Sequence, residues 1–128
     1  MIKIRRHTYY SVPYSQENID RFKSPDNKLK HARISEKTFG WFFINKKTEE
    51  LVGYVGCEGN MIVALEVSEK FRGRGYSSRL LSLADSCGAT RLSVNKSNKH
   101  AIDVYLHLGY EEYDSDKNMI YMKKKRSD

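Results

Sequence analysis

Cysteine is scarce in this chain. Cys57 and Cys87 stand thirty positions apart and share no motif, which excludes a disulfide framework as the basis of the fold. They read as reduced thiols that pack as small hydrophobes. Histidine is scarce too. His100 and His107 fall seven residues apart with no acid or cysteine at ligand spacing, so no metal is expected. Long apolar runs are missing, and no stretch approaches the ~18 residues of a membrane span. The first residues, Met-Ile-Lys-Ile-Arg-Arg-His, carry charge but no apolar h-region, so no secretory signal and a cytoplasmic location are expected. Repeats, low-complexity tracts and linker-like segments are absent. Acidic charge is in the minority, 16 Asp and Glu against 23 Lys and Arg, for a net +7. That excess suits a polyanionic partner: a phosphate-rich cofactor, a nucleic acid or an acidic protein.

What is present fits one globular domain over residues 1–128, with 39% hydrophobic and 12% aromatic residues. Residues 2–11, with Ile2, Ile4 and the Tyr9-Tyr10 pair, read as a first strand. Ser15 is placed to cap a short helix through Phe22. Residues 24–38 are polar and poorly periodic, a loop or one more short helix. Phe39 to Ile44 is an aromatic strand, joined by a polar connection to a partner at Leu51 to Cys57. After a turn at Glu58-Gly59-Asn60, Met61 to Val67 is nearly continuous in apolar residues, as a central strand covered on both faces would be.

A helix is expected from about Tyr76 to Cys87, burying Tyr76, Leu80, Leu81, Ala84 and Cys87, with Gly88 at its end. Arg91 to Val94 is a strand. Ala101, Val104, Tyr105 and Leu108 sit at i, i+3, i+4 and i+7 of a second helix spanning about Asn98 to Leu108. Tyr110 to Tyr113 and Met119 to Met122 form a closing hairpin, and Lys123 to Arg126 a basic, solvated tail. The order of elements suggests an α/β (α+β) domain, a single mixed sheet with helices on its faces.

The most informative stretch runs from Leu65 to Leu81. An apolar strand enters a turn, Arg72-Gly73-Arg74-Gly75-Tyr76-Ser77, that opens directly into an amphipathic helix. Free N–H groups, a helix dipole and flanking arginines meet there, which makes an anion site. No Gly-Lys-Ser/Thr follows, so it is not a Walker loop. The third glycine and the βαβ context of a dinucleotide fingerprint are missing as well.

In order along the chain come the strand Leu65–Val67, this turn, the strand Leu92–Val94, and Asn98…Ala101…Tyr105…Gly109-Tyr110. The set resembles the GNAT superfamily of N-acetyltransferases, closely over residues 61–110 and in strand order over most of the rest. The turn looks like the family's Arg/Gln-x-x-Gly-x-Gly/Ala cofactor motif, with Ser77 where the family has Gly or Ala. The resemblance implies a mostly antiparallel sheet with a splayed parallel pair, Met61–Val67 and Arg91–Val94, holding acetyl-CoA between them. The backbone of Leu65 and Val67 would pair with the pantetheine arm. The amides of Gly73, Arg74, Gly75, Tyr76, Ser77 and Ser78 would hold the pyrophosphate. Arg72 would add to the turn and its charge, and Asn98 would hydrogen-bond the cofactor.

The resemblance also implies acetyl transfer to a primary amine by direct attack in a ternary complex, by a monomer or homodimer that needs no membrane. Tyr105 matches the tyrosine that protonates the departing coenzyme A sulfur. The base is open. Ser93 stands where some relatives carry a glutamate on the second strand of the pair. Glu66 is the one ionisable residue of its apolar strand, where desolvation would raise its pKa toward a base's range. Alternation turns Glu66 away from the side of Leu65 and Val67, unless a bulge resets the phase. A water relay through Ser93 or a backbone carbonyl is the other route. The acceptor would be framed by residues 20–40 and by the loop Asp114–Asn118. A second reading is a GNAT-like module without turnover that binds acyl-CoA or nucleic acid through its basic surface. The aromatics, however, lie mainly in expected core strands rather than on a stacking face.

Overall fold

All but one of the neighbouring strand pairs run antiparallel, and the exception positions the site. The computed structural model describes residues 8–126. The part of the first expected strand at residues 2–7 lies outside the described residues. The strands are β1 (Tyr9–Pro13), β2 (Thr38–Asn45), β3 (Leu51–Glu58), β4 (Met61–Val67), β5 (Arg91–Asn95), β6 (Tyr110–Ser115) and β7 (Met119–Lys124). The helices are α1 (Gln16–Phe22), α2 (Tyr76–Ser86) and α3 (Lys99–His107), with 3-10 turns at Lys28–His31 and Glu69–Phe71. The strands form one sheet in the order β1-β2-β3-β4-β5-β7-β6, with β4 and β5 its parallel pair. This is the expected mixed, mostly antiparallel architecture. No helix among the described residues is long and apolar enough to cross a membrane.

Alternation along β3 builds two cores. Val55 and Cys57 enter the larger one with Leu80, Leu81 and Ala84 of α2, while Tyr54 enters a smaller one with Tyr14, Ile19, Leu29 and Phe42. Neighbouring Phe42 and Phe43 likewise fill opposite faces. Of the aromatic residues, only Tyr113 is more than about a third exposed, at 39%. Ser15 caps α1 as expected, its Oγ accepting the Asn18 N–H at 3.3 Å.

The polar segment before β2 holds a 3-10 turn. Asn27 Oδ1 accepts from the Leu29 N–H at 3.1 Å, its amide donates to the Phe22 carbonyl at 2.9 Å, and Leu29 is 1% exposed. One buried leucine in a polar run makes no periodic pattern, so the sequence left this element undefined.

Two expectations need correcting. Cys87 is exposed, because it is the C-cap of α2 with φ −102° and ψ 11° and so leaves the helical stripe. Cys57 is buried, and burial pushes its thiol up to about 11. The first half of the basic tail, Lys123 and Lys124, is strand rather than a solvated end, while Lys125 and Arg126 are exposed as expected. Lys123 pairs with Arg91 and Glu111, and Lys124 with Tyr110. Lys124 Nζ donates to the Leu108 carbonyl, and Arg126 pairs with Asp85 at 3.3 Å.

Of the glycines, Gly40 is the most tightly enclosed: its φ is 149° and a Cβ would run into the Val55 carbonyl oxygen. Gly40→Ala is expected to cost on the order of 3 kcal/mol, combining backbone strain with overpacking. The check is a lower denaturant midpoint at an unchanged m-value.

Candidate active site

β4 and β5 part almost as soon as they meet, pairing only at Met61 and Arg91. The cause lies in β4. Its register against β3 jumps from Gly56–Ala64 to Cys57–Ile62, leaving Val63 as an extra, half-exposed residue. Such a bulge bends and twists its strand, and here it swings β4 away from β5. It also inverts the side-chain phase. Ile62 packs in the larger core and Ala64 against the smaller, although two residues apart would ordinarily share a face.

Beyond the bulge, β4 has no strand neighbour on its β5 side among the described residues. The Ser68 N–H donates to the Val52 carbonyl of β3 at 2.9 Å. Alternate residues of an antiparallel ladder turn both backbone groups to one neighbour. Glu66 therefore turns its backbone to β3, and Leu65 and Val67 turn theirs into the gap. The Val67 carbonyl is taken by Arg72 Nε at 3.1 Å, which commits that guanidinium to holding the turn.

The turn itself is held from below by Phe71 and Tyr76, 4% and 8% exposed. Gly73 and Gly75 have φ of 79° and 84°, and a Cβ on either would meet nothing within 4 Å. The glycines are needed for the left-handed backbone and leave the space above them open. No side chain caps α2. Its first intrahelical bond runs from the Arg79 N–H to the Gly75 carbonyl at 3.2 Å, leaving the Tyr76, Ser77 and Ser78 amides without an intrahelical acceptor. Arg74 lies 5.7 Å from the Phe71 ring and Arg79 5.6 Å from the Tyr76 ring. Orphan amides and a helix dipole thus meet at the turn, with Arg74 beside it.

A cavity of about 560 Å³ occupies the opening between β4 and β5, lined by Leu65, Ser93, Asn98 and Tyr105 among others. Asn98 caps α3, its Oδ1 accepting the Ala101 N–H at 3.2 Å, so its side-chain amide is what remains to donate to a ligand. Tyr105 is half-buried and T-stacked on Tyr110 with centroids 6.0 Å apart. Its hydroxyl has no hydrogen-bond partner among the described residues, and burial raises its pKa above the usual tyrosine range. Ser93 is exposed on β5 and faces the cavity.

Glu66 is not brought to the cavity wall. Its Oε1 accepts from the Tyr54 hydroxyl at 2.9 Å and from the Lys28 N–H at 3.1 Å, tying the 3-10 turn at Lys28–His31 to the sheet. Burial, then the Glu66 carboxylate, raises the Tyr54 pKa well above its ordinary value. Removing that acceptor with Glu66→Ala is expected to cost about 1–3 kcal/mol, because a buried hydroxyl is left unpaired, whereas Glu66→Gln keeps an oxygen in place. Thermal unfolding of the two variants side by side checks this.

The cavity's other wall carries residues that the sequence did not single out: Glu58 at the end of β3, and Lys28, His31 and Arg33. The only signal available was the charged run Lys-Leu-Lys-His-Ala-Arg at 28–33 in a segment without periodicity. Among the described residues no three His, Cys, Asp or Glu side chains gather as a metal site.

The model of the acetyltransferase (GNAT) family matches residues 3–110. An uncharacterized N-acetyltransferase of Methanocaldococcus jannaschii is 32% identical over 66% of this chain, which spans 45% of that protein's length. Among solved structures, a Bacillus subtilis acetyltransferase in complex with CoA is 14% identical with a TM-score of 0.64, covering 93% of this chain and 98% of that one. The ribosomal-protein-S18-alanine N-acetyltransferase of Escherichia coli is 12% identical with a TM-score of 0.66, covering 94% and 96%. At such identities these two structures show a shared fold.

Proposed function

The chain belongs to the acetyltransferase (GNAT) family, and on that premise we propose that it moves the acetyl group of acetyl-CoA to a primary amine by direct attack in a ternary complex. The observation that carries this reading is the opening between β4 and β5, which Leu65 and Tyr105 line, together with the orphan amides of the α2 turn that follows β4. A pantetheine arm fits the Leu65–Val67 edge as an added strand, and a pyrophosphate fits the amides from Gly73 to Ser78.

In the reaction the amine nitrogen attacks the thioester carbonyl and the C–N bond forms. The C–S bond then breaks. The amine proton leaves to water in the cavity beside Ser93, and the departing thiolate takes the Tyr105 proton. Glu66 acts by positioning. Glu66→Gln is therefore expected to leave the acidic limb of the pH–rate profile where it was, and a limb that disappears would make Glu66 the base. The domain works in the cytoplasm on this reading, where acetyl-CoA is supplied.

The test is a thiol-release assay with acetyl-CoA and a panel of amines, with the acetylated product identified by mass spectrometry. Amine-dependent release is expected. Release that is equal with and without amine would contradict the proposal.

A further inference from the structure

We propose that the amine acceptor is a small molecule carrying an anionic group of its own, a carboxylate or a phosphate, read by the basic wall formed by Lys28, Arg33 and the neighbouring His31. The inference rests on the acetyl-transfer reading and names its substrate class.

These three residues line the cavity between β4 and β5, and none of them makes an ion pair among the described residues. The basic residues that do pair, Arg21, Lys23, Lys70 and Arg126, each have a carboxylate at 3.7 Å or less. The cofactor does not account for the wall. The 3-10 turn packs with α1 in the smaller core, and α2 with its anion-binding turn packs in the larger core on the other face of the sheet.

The wall is also held in place. Leu29 is buried beneath it, Asn27 caps the turn, and the Lys28 N–H is fixed by Glu66. That carboxylate accepts from the Tyr54 hydroxyl and the Lys28 amide and is not in the lining, so among the described residues Glu58 is the one carboxylate lining the cavity. The other polar groups facing in are neutral: Tyr14 and Tyr54 across the sheet, Ser93 and Asn95 on β5, Asn98 and Tyr105 at α3.

One acid and three basic groups in the same lining complement a zwitterion. Glu58 meets the ammonium before it loses its proton, and the basic wall meets the anion. A polyamine would bring further positive charge against Lys28 and Arg33. On this reading the cavity, about 560 Å³, also takes the pantetheine end of the cofactor, so the acceptor beside it is small.

The experiment measures kcat/KM by thiol release for the full chain with matched acceptors: β-alanine against β-alaninamide, phosphoethanolamine against ethanolamine, and spermidine. The anionic member of at least one pair is expected to exceed its neutral partner about 10-fold, the scale of one charge contact. Arg33→Gln should collapse that preference while acetyl-CoA affinity, measured by calorimetry, stays unchanged. Whichever pair shows the larger ratio identifies the anion. Neutral amines or spermidine that match or beat the anionic acceptors would overturn this inference and leave acetyl transfer standing, and so would a preference that survives in Arg33→Gln. Acetyl-CoA that binds without any amine being acetylated would bring down both.

Discussion

Gly75→Ala is expected to weaken acetyl-CoA binding about 100-fold while costing the fold only about 1–2 kcal/mol. Gly75 is the N-cap of α2 with φ 84° and ψ 10°, a conformation alanine adopts only under strain. In the free protein an added Cβ meets nothing, so the direct steric cost is small. The larger effect is on the aim of the turn. To relieve the strain the backbone must rotate, and the amides from Gly73 to Ser78 no longer converge. A hydrogen bond to a charged group contributes about 1.5–3 kcal/mol, so losing two of them at the lower figure is about 3 kcal/mol, or roughly 100-fold. Calorimetric titration gives the affinity, and thermal unfolding separates it from stability. A variant that melts earlier but binds acetyl-CoA normally would show that the turn is not the anchor.

Tyr105→Phe is expected to lower kcat about 100-fold, the lower end for loss of a general acid, with acetyl-CoA affinity intact. Phenylalanine keeps the edge-to-face contact with Tyr110, and the hydroxyl it removes has no partner to strand. The pH dependence follows from the raised Tyr105 pKa, which burial causes. The acid is active while protonated, below its pKa. A value raised above the usual ~10 keeps it protonated through neutral and mildly alkaline solution, so Tyr105 contributes no falling limb there. A basic limb that lies below pH ~10 and vanishes in Tyr105→Phe would contradict this ordering, and unchanged turnover at every pH would remove Tyr105 as the acid.

Legibility of the site from sequence followed the range of the interactions. The glycine turn and the α3 helix are local. Two left-handed glycines, an Asn at the N-cap and a 3.6-residue apolar stripe all declare themselves within a dozen positions. The splay of β4 from β5 depends on a bulge at Val63, and nearly continuous apolar residues from Met61 to Val67 gave no alternation against which a phase shift could be seen. The face on which Glu66 lies was ambiguous for that reason. Its partners lie 12 and 38 residues earlier in the chain, at Tyr54 and Lys28, pairings that no spacing rule anticipates. The acceptor-side wall was hidden in the same way. Its cations read as surface charge until Leu29 and Glu66 pin them to the cavity. Lys123 and Lys124 read as a tail because their ladder partners, Arg91 and Tyr110, are set by the sheet order.

The central claim is that the strand gap and the α2 turn form one cofactor site. Backbone amide NMR of the chain titrated with coenzyme A tests it most directly. Saturable shifts are predicted at Gly73 to Ser78 together with Leu65, Val67 and Asn98, and Gly75→Ala should abolish the first set. Saturable binding that leaves the Gly73 to Ser78 amides unmoved, or no binding at all, would contradict it.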